Sequence, residues 1–268
     1  MIPLDVERLR RGGSHRLHIG RSLQVHDQTA STNDLAHAAA GEANSPPAGH
    51  VIVAEHQTAG RGQRGRTWTA PPRSALLFSI VVNPPPTLDS PSFLTAWAAV
   101  GIAWILRELG LPAVIKWPND VLVEDRKISG ILVERRLATV VGAGINVSVR
   151  PEDFPTDVRL PATSVEMELG RPVDRTEILQ QLLDQLDRLY ADALDRGLEP
   201  LWQQWTELSQ RQIGQWVRIV RTTGEDSGRL LDLRPDRGAT LLRGDGEKII
   251  ILPESILRVE HEEPETTS

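Results

Sequence analysis

The chain has 268 residues, 40% of them hydrophobic and 25% charged, so it can bury a core without staples and has room for one large domain and a small one. It has no cysteine, which excludes disulfides, thiolate metal sites and cysteine nucleophiles and makes a reducing cytosol the expected compartment. A net charge of −6 argues against general affinity for nucleic acid, and the longest apolar run, 95–106, falls short of the roughly 20 residues that cross a bilayer.

Residues 1–20 carry Arg8, Arg10, Arg11 and Arg16 and lack the apolar stretch of a secretory signal, so export is not expected. Apolar periodicity then predicts a strand at 23–26, a helix at 33–40 and a strand at 50–55, with 44–49 as a turn. A Gly/Arg-rich loop at 58–72 precedes a strand at 75–82 and a helix at 91–109. Short strands follow at 113–116, 121–124, 128–134 and 139–146, and helices at 175–193 and 198–208 complete residues 1–210. Segregated hairpins and helices predict an α+β class with a mixed or antiparallel sheet. Over 211–262 only strand-like runs remain, at 216–220, 228–233, 240–242, 248–252 and 256–259. With Asp245-Gly246 as a two-residue hairpin signal, they predict a small β-barrel, followed by a disordered tail at 263–268.

Five stretches can carry chemistry. Gly60-Arg61-Gly62-Gln63-Arg64-Gly65 has G-x-G-x-x-G spacing, but Arg66-Thr67-Trp68-Thr69-Ala70-Pro71-Pro72 follows where a dinucleotide fold needs a helix, and no G-K-[ST] ends it as a phosphate loop would. What remains is a run of amide donors and guanidinium groups able to meet an anion, or simply a solvated basic loop. Lys116-Trp117-Pro118-Asn119-Asp120 packs a cation, an indole, an amide and a carboxylate around a proline, although Pro-Asn-Asp alone is ordinary turn composition. Lys127 stands just ahead of Ser129-Gly130 at the start of a strand, where glycine admits a ligand and an edge lysine also guards against pairing. Gly142-Ala143-Gly144-Ile145-Asn146 ends a strand in small residues and an amide. Ser31-Thr32-Asn33-Asp34 has capping-box spacing, for which a helix start is sufficient explanation. Only Lys116, Lys127 and Lys248 are lysines in a chain that otherwise uses arginine. No H-E-x-x-H or G-x-S-x-G occurs, so zinc hydrolysis and serine nucleophiles are not indicated.

In this order, Ser31-Thr32-Asn33, the run from Glu55 to Trp68, Lys116 to Asp120, Lys127 to Glu134 and Gly142 to Val147 resemble the motifs of the biotin protein ligases, over about 23–260. The resemblance implies a class II synthetase-like mixed sheet with a C-terminal SH3-like barrel. It also implies an enzyme that adenylates biotin with ATP and transfers the biotinyl group to a lysine of a biotin carboxyl carrier domain. On that pattern Ser31, Thr32, Asn33 and Gln57 bind the ureido ring, and Gly60, Arg61, Gly62, Gln63, Lys127 and Gly130 hold the rest of biotin. Arg64, Arg66, Trp68, Asn119, Lys127 and Asn146 take ATP, and Lys127, Arg61 and Asp120 are the catalytic set. Magnesium arrives with ATP, with no tightly bound metal. Gln63 stands where many members have arginine, which removes a cation from the loop and implies a less tightly held adenylate. A DNA-binding segment is not expected ahead of the first strand, nor a membrane partner, while a homodimer is compatible with the family. A lipoate or octanoate ligase, and a regulator that only binds biotin or nucleotide, are the alternatives.

Overall fold

The computed structural model describes residues 2–42, 46–155 and 160–262; the expected tail at 263–268 lies outside them, as do Asn44 and Ser45 of the expected turn. Seven strands, β1 (Leu23–His26), β2 (Val51–Ala54), β3 (Ala75–Val82), β4 (Ala113–Lys116), β5 (Asp120–Val123), β6 (Arg126–Arg135) and β7 (Thr139–Asn146), form one sheet. Its order is β1-β2-β3-β7-β6-β5-β4, with β1 parallel to β2 and every other pair antiparallel. Of the mixed or antiparallel sheet expected from the strand and helix pattern, the mixed form is present.

The apolar run of β3, interrupted by Ser79 alone, reflects cover on both of its faces, since all eight residues are buried. Leu76, Phe78, Ile80 and Val82 point into the main core, where α3 (Pro91–Glu108), α5 (Arg175–Arg196) and α6 (Glu199–Ser209) pack. On the opposite face Val81 joins Ile52 and Val140 beneath α2 (Thr32–Ala40), while Ala75 and Leu77 pack with Ala70 and Val149. Ser79 falls between those two small clusters as a buried polar residue in an apolar strand. The middle of this second face, where Ser79 meets Thr32 and Asn33, is where the site forms.

Two short helices were not foreseen, α1 (Val6–Gly12) and α4 (Val165–Leu169). In α1 one fully buried residue, Leu9, anchors a turn otherwise rich in arginine, and Asp5 caps it by accepting the Arg8 N–H. One apolar anchor in seven residues leaves no readable period. The next segment is tied down by charge. Buried Arg16 donates to Asp184 at 2.7 Å and to the carbonyls of Gly20 and Gln180. Asp187 accepts the backbone N–H groups of Leu17, His18 and Ile19.

The C-terminal residues form a five-stranded antiparallel sheet of β8 (Trp216–Arg221), β9 (Gly224–Arg234), β10 (Gly238–Leu242), β11 (Lys248–Ile251) and β12 (Ile256–His261), in the order β11-β10-β9-β8-β12. Its apolar residues continue the main core. β9 begins four residues before the expected position, because Asp226 in its polar start is buried and neutralised by Arg221 at 2.5 Å and by Arg243. Asp245-Gly246 does not form a two-residue hairpin. It lies in the longer 243–247 connection, where Gly246 adopts φ +88° and Asp245 accepts the Glu247 N–H; the two-residue turn is Thr222-Thr223.

A buried ion pair joins the first strands to the helical layer. Arg175 contacts Glu55 at 2.8 Å with about 5% of each side chain exposed, and it also donates to the carbonyls of Ala75 and Ile2. Glu55 accepts the Leu4 N–H at 2.6 Å. Removing one partner strands the other charge in the core, so Arg175→Met should lower unfolding free energy by about 3 to 5 kcal/mol in denaturant titration. A loss under about 1 kcal/mol would show that Glu55 finds another partner.

Candidate active site

The floor of the site is a sheet surface on which three neighbouring positions carry no side chain. Gly130 of β6 pairs with Gly144 of β7, and Gly142 lies on the same face two residues along. The indole of Trp68 rests on this strip, so closely that a Cβ on Gly144 would come within 2.4 Å of the ring and one on Gly130 within 3.1 Å. At Gly142 an added Cβ would meet the Asn33 side chain at 2.2 Å. Three glycines scattered in sequence therefore make one recess of about 390 Å³, between the sheet, the glycine loop, the Lys116–Asp120 turn and β12.

One end of the recess is a polar array at the start of α2. Ser31 sits at the N-cap position, but its hydroxyl makes no capping bond, and Asp34 does not reach back to close a capping box. Both side chains are used elsewhere: Ser31 is buried against the recess and Asp34 is taken by two arginines. Gln57 accepts from the Thr32 N–H at 2.7 Å and from the Thr32 hydroxyl at 3.0 Å. Its amide oxygen is thereby committed, and its NH2 is the end left for a ligand acceptor. Ser79 lies within 2.7 Å of the Thr32 hydroxyl and 2.6 Å of Asn33 Oδ1, while Asn33 Nδ2 donates to Glu134 at 2.7 Å. A hydroxyl has one proton for those two acceptors, so the array holds an acceptor in excess and suits a ligand bearing N–H groups beside a carbonyl.

At the other end Lys127 pairs with Asp120 at 2.6 Å, and its ammonium lies 5.7 Å from the centroid of the Trp68 ring. Strand alternation would separate Lys127 from Gly130. The register between β5 and β6 shifts here, with Val121 opposite Ser129 but Leu122 opposite Lys127, and the extra residue, Ile128, is buried in the core. That bulge turns Lys127 onto the glycine face. Its backbone is fixed by bonds to Pro161 and Thr163. Asn119 is tied to Ile131 by its Nδ2 and by a backbone bond, which leaves its Oδ1 toward the recess.

The glycine loop folds as a narrow ribbon, with Trp68 N–H on Gly60 O and Gly62 N–H on Arg66 O. Its tip is a single turn at Gln63–Gly65 in which Arg64 adopts φ +58°. Arg61 does not extend into solvent: it forks onto Asp34 at 2.5 and 2.8 Å and reaches Glu134 at 3.0 Å. Arg64 donates to the Leu257 carbonyl of β12, and residues 257–261 of that strand complete the wall.

Most of the expected residues are thus brought together: Ser31, Thr32, Asn33, Gln57, Arg61, Gly62, Gln63, Arg64, Arg66, Trp68, Asn119, Asp120, Lys127 and Gly130 all line the recess. Gly60 and Asn146 do not. Gly60 is buried under the ribbon, where a Cβ would meet the Trp68 carbonyl oxygen at 2.4 Å, and Asn146 donates its amide to Thr163 at 3.1 Å.

The profile of the Biotin/lipoate A/B protein ligase family matches residues 25–149. The chain is 34% identical over 231 residues to the bifunctional ligase/repressor BirA of Bacillus subtilis, covering 84% of this chain and 70% of that one. It is 34% identical over 242 residues to the biotin--[acetyl-CoA-carboxylase] ligase of Mycobacterium tuberculosis, covering 86% of each. The chain belongs to the biotin/lipoate A/B protein ligase family. Among solved structures, the biotin protein ligase of Aquifex aeolicus in complex with biotin and ATP superposes with a TM-score of 0.79 at 25% identity, over 90% of this chain and all of that one.

Within this family fold, three contributors to the site escaped the sequence reading. Ser79 is hidden in an apolar strand, Glu134 stands at the end of a motif with no marked role, and β12 lies more than a hundred residues from the other motifs. Glu134 alone carried a signal, as an acid closing the apolar run Ile131-Leu132-Val133. Together Asp34, Glu134, Arg61 and Arg136 form a closed ring of alternating charge. The hydrogen bond from Arg61 holds Asp34 below its usual value against the opposing effect of burial, with further help from the Arg136 charge. Burial pushes Glu134 up, but the bonds from Asn33 and Arg61 outweigh it and leave it low as well. His37 beside the ring is held below the ordinary imidazole value by burial and then by the Arg136 charge, against the opposing pull of Glu134 and Asp34. Both carboxylates have depressed folded-state values, so their contribution is complete above the ordinary carboxylate range and disappears as pH falls through the lowered values. Amide exchange protection at Gly62 and Trp68 should be intact at about pH 5 and fail only below the ordinary carboxylate range. Loss already near pH 5 would mean that the ring does not hold the ribbon.

Proposed function

We propose that the chain is a biotin--carrier protein ligase, which joins biotin to ATP as biotinyl-5′-AMP and then passes the biotinyl group to a lysine of a biotin carboxyl carrier domain. The observation that carries this reading is the juxtaposition, in one recess, of the Ser31–Gln57 polar array and the Lys127–Asp120 pair, with Trp68 lying between floor and loop. The array offers the Gln57 NH2 and the Ser31 hydroxyl to a carbonyl and surplus acceptor capacity to N–H groups, which is the pattern of a cyclic urea. An acid chain extending from such a ring toward Lys127 ends beside a cation.

In the first step a carboxylate oxygen of biotin forms a bond to the α-phosphorus as the bond to the bridging oxygen of pyrophosphate breaks. Two anions must meet, and the Lys127 ammonium with the backbone amides of the glycine loop supplies the positive potential between them. Trp68 gives an apolar face for the base, and Asn119 Oδ1 a polar contact. Magnesium enters with ATP as part of the substrate. Among the described residues no three His, Cys, Asp or Glu side chains cluster for a metal, so phosphate oxygens and water would supply most of its ligands. In the second step the acceptor amine attacks the acyl carbon, the carbon–oxygen bond to AMP breaks, and the amine proton leaves toward Asp120.

Pyrophosphate exchange into ATP, with magnesium and biotin, lipoate, octanoate or no acid, tests the first step. Exchange is expected with biotin and not with the others; exchange with lipoate or octanoate instead would assign the sister reaction, and none with any acid would leave binding alone. Asp120→Asn should slow single-turnover transfer from preformed adenylate by roughly tenfold to a hundredfold, the range lost when one positioned base is removed. Transfer at the unaltered rate would reject Asp120 as the proton acceptor.

A further inference from the structure

Arg61 is a loop cation whose guanidinium is already committed to carboxylates. Its Nη1 and Nη2 fork onto Asp34 at the start of α2, and Nη2 also meets Glu134 at the end of β6. This is the planar bidentate geometry that makes an arginine–carboxylate pair directional. Arg136 bridges the same two carboxylates from the other side, at 3.2 and 2.9 Å. Two acids and two guanidinium groups cancel, so the ring presents no net charge to an arriving anion. An anion approaching Arg61 would also approach both carboxylates. Lys127 is opposed by Asp120 alone among the described ion pairs, and its ammonium lies beside Trp68 at the floor.

We infer that Arg61 is a positioning residue: its side chain, held by Asp34 and Glu134, fixes the glycine ribbon over the recess, and the charge that meets the reacting anions comes from Lys127. This rests on the ligase reading for its kinetic consequences but not for the anchoring itself. The ribbon's own bonds run between its two arms, Gly62 to Arg66 and Trp68 to Gly60, and hold it to itself without holding it to α2 or β6. Arg61 supplies that link. The acceptor it uses on Glu134 is Oε2, the oxygen that also accepts from Asn33 Nδ2. Glu134 therefore ties the ribbon directly to the polar array, and a ligand that settles Asn33 also settles the oxygen on which Arg61 rests.

The test uses the full chain and four variants, Arg61→Gln, Asp34→Asn, Asp34→Glu and the double Arg61→Gln/Asp34→Asn, in biotin-dependent pyrophosphate exchange. If Arg61 acts as an anchor, Arg61→Gln and Asp34→Asn each raise KM for biotin and ATP by roughly tenfold, with kcat within about threefold. The double variant is then no worse than the poorer single one, and Asp34→Glu retains most of the wild-type behaviour. A loss of kcat by about a hundredfold or more in Arg61→Gln, with Asp34→Asn near wild type and the two effects additive, would overturn the inference and put Arg61 on the phosphoryl oxygens. Tryptic cleavage after Arg64 and Arg66, read by mass spectrometry, follows the anchor without any activity. It should accelerate several-fold in Asp34→Asn, whereas an unchanged rate would also overturn the inference. Faster cleavage in Asp34→Asn together with no biotin-dependent exchange in the wild type would retain the anchor and reject the ligase reading.

Discussion

Gly130, Gly142 and Gly144 lie on one face of β6 and β7, and at these three positions no side chain separates ligand space from backbone. A recess in a sheet protein is usually made by loops rising around a flat surface. Here the surface itself is lowered by the depth of three side chains, and Trp68 and Asn33 descend into it. The indole can lie flat only because Gly144 lacks a Cβ, and Asn33 reaches Glu134 only because Gly142 lets it pass. The glycine ribbon, the Lys127 bulge and the start of α2 take positions that follow from this floor.

Charge is arranged around the floor with unequal freedom. On one flank four charges close on themselves and leave a rigid, neutral frame. On the other, Lys127 has a single short contact to Asp120 and a cation–π neighbour. A frame that cancels its own field adds little to the potential over the floor, where the Lys127 ammonium lies with Asp120 as its carboxylate partner. The buried Glu55–Arg175 pair serves a different end, fixing the strand that leads into Gln57 against α5 and the N-terminal segment.

Much of this was legible in the sequence, for identifiable reasons. The apolar runs of β3, α3 and β7 declared themselves because these elements are buried nearly throughout, and the motifs carrying Lys127, Asn119 and Trp68 are dense in unusual residue combinations. The parts that did not show depend on contacts between distant residues. Nothing in Lys127-Ile128-Ser129-Gly130 announces a bulge, yet without it the lysine would face the core. Asp34 reads as a capping acid, and only the folded chain places two guanidinium groups nearer to it than the helix N-terminus needs. β9 was read short because Asp226 looks like a turn residue until Arg221 and Arg243 neutralise it.

The contact from Arg64 to β12 is made to a main-chain carbonyl, that of Leu257. An acceptor of that kind is supplied by any residue at the position, so drift in the amino acid at 257 would leave the tie in place while the strand keeps its path. The donor has no such latitude. The two ends of the link are therefore under unequal selective pressure, one written in a side chain and the other in the course of the backbone, and an alignment scored on residue identity would register only the first.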